Sequence, residues 1–104
     1  METLEDKVKN KISLFNALNI SIQDRESSLV KLFSHLLLND YNSLIVLSKE
    51  YQKPDLKDKV KRLKIYTKLL EKFCEEEAGD IDELVRETSG LDSLIKEILT
   101  LSKD

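Results

Sequence analysis

Glycine and proline occupy only three of the 104 positions: Pro54, Gly79 and Gly90. Tight turns draw on these residues, because glycine supplies left-handed backbone and proline presets φ. A chain so poor in them cannot make the many reversals of a β-rich or loop-rich fold, so most of its length is expected in long helices. The apolar periodicity agrees. Leu4, Val8, Ile12, Phe15 and Leu18 recur at helical spacing, and Thr3 with Asp6 three residues on is an N-cap pattern. A first helix is expected over about residues 4–18, broken by Asn19-Ile20-Ser21.

The segment from about 24 to 51 is the most apolar, and its leucines cover more than one helical face. It reads as one helix, or as two if Asn42 or Ser43 caps a new one within Asn39–Ser43. After Pro54, Asp55 caps a long helix on which Leu56, Val60, Leu63, Thr67, Leu70 and Cys74 alternate at spacings of four and three, the pattern of a bundle-facing stripe. Gly79 ends that helix, and Asp80 with Glu83 opens the last one. Ile81, Leu84, Thr88, Leu91, Ile95 and Ile98 then keep one phase straight through Gly90. That predicts a single helix with a tolerated or kinked glycine, which costs about 1 kcal/mol relative to alanine and which a close helix crossing can offset. The expected fold is all-α: one domain over residues 1–104, an up-and-down antiparallel four-helix bundle, with five helices if the second splits near Asn39–Ser43.

The formal net charge of −3 hides a strong local asymmetry. On a helical wheel Lys57, Lys61, Lys64, Lys68 and Lys72 fall in one stripe about 22 Å long. Like charges at this spacing repel by about 0.2–0.5 kcal/mol per pair in an isolated helix. The acids just downstream, among them Asp80, Asp82, Glu83 and Glu87, are expected opposite residues 71–78 in an antiparallel hairpin, whereas lysines 57–64 face residues 94–101. The hairpin thus has an acidic tip and a basic far end. The stripe suits a solvated face, docking to an acidic protein, or phosphate contacts with nucleic acid. It offers no base-reading Arg or Asn cluster and no interleaved aromatics, so nucleic-acid binding through it would be sequence-independent.

The chemistry of an enzyme is thin. One histidine, His35, and one cysteine, Cys74, cannot supply a usual zinc ligand set. His35 falls away from the apolar face, and Cys74 falls on it, with no histidine near in sequence to activate the thiol. The tip Asp80-Ile81-Asp82-Glu83 lacks the glycine of a calcium loop, with Val85 in its place, and no glycine-rich phosphate loop exists. No catalytic residue, metal site, cofactor or small-molecule substrate is expected. The N-terminal acids are unlike a signal peptide, no apolar run has transmembrane length, and a lone cysteine fits a reducing compartment, so the expected location is the cytoplasm, away from membranes.

The apolar excess of residues 29–47 exceeds what one bundle face uses. It fits a central helix, or a face kept for a partner or a second copy of the chain. The expected function is therefore a non-enzymatic protein–protein interaction module (a small regulator, adaptor or chaperone-like bundle) that self-associates as a homodimer. Its interface is expected at Leu29, Phe33, Leu36, Leu37, Leu44 and Leu47. The alternative is a sequence-independent nucleic-acid-binding protein that uses Lys57, Lys61, Lys64, Lys68 and Lys72.

Overall fold

The computed structural model of the chain describes residues 2–75 and 80–103, and every regular element within them is an α-helix. Six follow in order: α1 (Leu4–Gln23), α2 (Ser27–Ser34), α3 (Leu37–Glu50), α4 (Pro54–Glu75), α5 (Ile81–Glu87) and α6 (Leu91–Leu101). Six replaces the four or five read from the sequence, and each difference has a local cause.

The first helix starts as expected. Thr3 and Asp6 form a complete capping box, each backbone N–H donating to the other's side chain at 3.2 Å. It does not stop at Asn19, however. Ser21 hands its hydroxyl to the Ala17 carbonyl at 3.0 Å, and Ile22 is fully buried, so the polar cluster continues the helix. The stop comes at Arg25, whose φ of 55° is left-handed. There the Glu26 N–H reaches the Ser21 carbonyl and the Arg25 N–H the Ile22 carbonyl, which is the Schellman pattern. The end of α3 repeats it: Gln52 has φ 53°, Lys53 N–H donates to the Ser48 carbonyl, and Gln52 N–H to the Lys49 carbonyl. Neither corner uses glycine, so the segment bounds near 24 and 51 and Pro54 mark their neighbourhood but no residue type marks the left-handed position itself.

The other two interruptions are of a different kind. The second segment breaks at His35–Leu36, not at Asn39–Ser43, and Ser43 donates to the Asn39 carbonyl inside α3 instead of capping a helix. His35 and Leu36 keep right-handed angles (φ −69°, ψ −18° and φ −101°, ψ −13°), and Leu36 N–H bonds the Phe33 carbonyl in a single tightened turn. The last segment is likewise two helices instead of one. Gly90 sits at φ −85°, ψ −4°, and Leu91 N–H bonds the Thr88 carbonyl. Because this link stays right-handed, the apolar phase survives it: Leu84, Thr88, Leu91, Ile95 and Ile98 are all buried. The expected end of α4 at Gly79 lies outside the described residues. Asp80 caps α5 through its side chain, which accepts from the N–H groups of Asp82 and Glu83.

One core joins the helices. Val8, Phe15, Leu18 and Ile22 of α1 and Leu56, Val60, Leu63 and Leu70 of α4 are buried in it together with Val30, Leu37, Leu44, Leu91 and Ile98. Burying each large side chain of this kind stabilises the fold by about 1.5–3 kcal/mol before chain entropy is counted. Both α1 and α4 pack against α2, α3, α5 and α6. Along α4 and the last two helices the antiparallel register is the expected one. Lys59 Nζ lies 3.0 Å from Glu97, Tyr66 lies beside Gly90, and Leu69, Lys72 and Phe73 line one cleft with Asp80, Glu83, Leu84 and Glu87.

Candidate functional site

The register divides α4 into two flanks with different electrostatics. On the flank toward α6, Lys59 is paired with Glu97, and Arg62 shares an open cleft with Glu87 and Glu97. Away from α6 lie Lys57, half-buried, and Lys61, Lys64 and Lys68, exposed, and the row ends at Lys72, exposed and bordering the cleft with α5. Among the described residues none of these five has a carboxylate in ion-pair contact. Lys9 pairs with Glu5, Lys96 with Asp92 and Arg25 with Asp82, whereas Lys11, Lys49 and Arg86 lack such a pair among the described residues, so what distinguishes the five is that they stand in one row. Ile65 projects at the edge of the stripe with 62% of its surface exposed. Its helical neighbours Lys61 and Lys68 stand four residues before and three after it.

A second candidate face lies on α2 and the start of α3. Leu29, Leu32 and Leu36 are 38%, 56% and 52% exposed and follow the i, i+3, i+7 spacing of one helical stripe, with Leu38 exposed just beyond. The stripe is turned away from α4, because the opposite side of α2 meets that helix: Ser34 Oγ lies 3.3 Å from Cys74 Sγ, and Lys31 Nζ sits 5.8 Å from the centre of the Phe73 ring. Of the six interface leucines and phenylalanine expected from sequence, Leu29 and Leu36 are on this surface, and Phe33 and Leu47 are half-buried against the core. Leu37 and Leu44, each 1% exposed, are core side chains and are not offered to a partner. Leu32 and Leu38 take their place, and so the surface sits further toward α2. Consecutive leucines at 36, 37 and 38 point in three directions, and only the neighbouring helices decide which one goes inward.

The surroundings of this face are poor in charge. Residues 12–23 contain no Asp, Glu, Lys or Arg and residues 27–48 contain only Lys31 and Asp40, in a chain that is 36% charged overall, with the charges between them, Asp24, Arg25 and Glu26, confined to the corner before α2. An open cleft between α1 and α3 is more polar: Glu2, Lys7 and Lys11 line it with Asn10, Asn39, Asn42, Ser43, Val46 and Leu47. At its end Lys7 Nζ donates to the Tyr51 hydroxyl at 2.9 Å and lies 5.3 Å from the ring centre. That hydrogen bond, with Tyr51 charge and the nearby Glu2 and Glu50, holds the Lys7 ammonium above its ordinary pKa. No sequence signal pointed to this cleft, because its polar residues come from two helices.

His35 is exposed at the end of α2, and Cys74 is half-buried with Ser34 as its polar neighbour. Among the described residues no three His, Cys, Asp or Glu side chains converge to hold a metal ion, and no helix is long and apolar enough to cross a membrane. The chain matches no family model, no curated protein and no solved structure with which it was compared.

Proposed function

We propose that the chain is a non-enzymatic protein–protein interaction module whose docking face is the charge-poor side formed by α1, α2 and the start of α3, and that this face meets a second copy of itself. The observation that carries the reading is the exposed stripe Leu29, Leu32 and Leu36 in surroundings almost empty of charge. Interface centres are depleted of charged residues and rich in large apolar ones, which is the composition found here. A face without net charge also meets its own copy with no like-charge opposition. The lysine flank of α4 and the acidic start of α5 would each repel theirs.

In this reading the six helices act as four arms, α2–α3 and α5–α6 each being one arm with a kink, in up-and-down antiparallel order. Contacts between arm ends support it: Lys7 near the start of α1 reaches Tyr51 after α3, Arg25 after α1 reaches Asp82, and Lys59 near the start of α4 reaches Glu97 near the end of α6. The test is sedimentation equilibrium over a micromolar concentration series. The native chain is expected to dimerise, and Leu32→Glu with Leu36→Glu is expected to leave a folded monomer. A native chain that stays monomeric at hundreds of micromolar rejects self-association through this face.

A further inference from the structure

We propose that the outer flank of α4 is a second, independent binding surface, a line of lysines that takes the phosphodiester backbone of nucleic acid without reading its sequence. The inference starts from what the fold leaves undone. On the flank toward α6 the α4 cation Lys59 has its carboxylate, and Lys9 of α1 and Lys96 of α6 are each matched with an acid one turn away. Five lysines in one row, spaced by four, three, four and four residues, have no such partner among the described residues. A row of like charges on a straight helix is held together against its own repulsion, and a polyanion lying along it relieves that repulsion.

The geometry favours a phosphate backbone over an acidic protein. Successive lysines climb about 4.5 or 6 Å, and the row runs about 22 Å. A duplex strand carries one phosphate about every 3.4 Å, so a row of this length passes several phosphates of one strand. A protein interface would need an apolar centre, and the flank offers only Ile65. The whole chain has a net charge of −3, so without these five lysines the rest of the sequence carries −8, which favours this line over the rest of the molecule for a polyanion. Lys72 is the weakest member, because it shares its cleft with Asp80, Glu83 and Glu87. Four lysines therefore carry the contact.

The test is fluorescence anisotropy of the full chain with two labelled DNA duplexes of unrelated sequence, each about 20 base pairs. Both are expected to bind at low salt with equal, micromolar affinity, and the logarithm of the association constant is expected to fall against the logarithm of salt concentration with a slope of about −3 to −4. Replacing Lys61, Lys64 and Lys68 by Glu is expected to weaken binding at least tenfold. A control triple at Lys9, Lys49 and Lys96, also to Glu, changes the net charge equally and is expected to stay within about threefold of the native chain. If circular dichroism shows the first triple unfolded, the same three positions changed to Gln replace it. Absence of binding at low salt overturns the proposal, and so does equal weakening by the two triples. Tighter capture by polyglutamate or by phosphatidylserine vesicles than by either duplex also overturns it, assigning the flank to an acidic protein or to a membrane surface.

Discussion

The hydroxyl of Tyr66 fills the space in which a side chain at position 90 would begin: a Cβ on Gly90 would stand 2.8 Å from that oxygen. Gly90 is not there for its backbone, since its φ of −85° suits any residue. It is there because α4 and the α5–α6 link approach so closely. Gly90→Ala should therefore displace the Tyr66 ring and destabilise the chain by about 0.5–1 kcal/mol, a modest case of overpacking because Tyr66 is only half-buried. In a Tyr66→Phe background the same change should be neutral or stabilising by about 0.4–1 kcal/mol, since alanine restricts the unfolded chain. Urea denaturation of the four proteins measures the coupling. A coupling near zero would mean that the two residues do not compete for the space.

Gln52 holds a left-handed φ of 53° at the end of α3. A side chain there costs about 1 kcal/mol that glycine does not. Gln52→Gly is expected to stabilise the fold by about 0.5–1 kcal/mol once the extra freedom of the unfolded chain is subtracted. Gln52→Val, β-branched, should do the opposite. Arg25 is the equivalent corner, but its guanidinium lies 2.6 Å from Asp82, so a glycine there also loses an exposed ion pair and the gain should be smaller. Midpoints of thermal unfolding order the three variants.

The leucines of the second segment should separate into two classes. Leu37→Ala and Leu44→Ala remove fully buried side chains and should each cost about 2–5 kcal/mol. Leu32→Glu and Leu36→Glu alter exposed positions and should change monomer stability by no more than about 0.5 kcal/mol. Denaturation at low protein concentration makes the comparison without a contribution from self-association.

Lys7 and Tyr51 give a pH dependence with a defined sign. Tyr51 raises the folded-state pKa of Lys7 above its ordinary 10.5. A raised lysine pKa contributes stability that is fully present below the unfolded value and disappears as pH rises through the folded one. The contact should thus matter at neutral pH and fade in the alkaline range. Tyr51→Phe keeps the ring face and removes the hydroxyl, so it should bring the Lys7 titration, followed by NMR at its ε-methylene, back toward 10.5.

The parts of this fold legible in the sequence are those set by periodicity. The α4 stripe of Leu56, Val60, Leu63 and Leu70 is core, as its spacing implies, and Leu84 through Ile98 hold their phase even across a helix break. The Thr3 and Asp80 caps were readable because their side chains carry the bonds. The corners at Arg25 and Gln52 were readable only as segment ends near 24 and 51, since the left-handed turn itself is held by main-chain hydrogen bonds that any residue can make. The candidate surfaces were half legible. The lysine row follows from the period of one helix, and Lys61, Lys64 and Lys68 are exposed along it, while Lys57 is half-buried and Lys72 borders an acidic cleft. The apolar face depends on which of Leu36, Leu37 and Leu38 the neighbouring helices bury, and that choice is not local.

The two kinds of connection also set where this chain can change length. An added residue within the right-handed link at Thr88–Gly90 would rotate α6 by about 100° relative to α5, swinging Leu91, Ile95 and Ile98 out of the core together. The His35–Leu36 link carries the same restriction for Leu37 and Leu44. The corners at Arg25 and Gln52 end one helix outright before the next begins, so an extra residue there lengthens a loop and leaves both helices in phase. Insertions and deletions that leave the fold intact should therefore gather at two of these four connections and be absent from the other two.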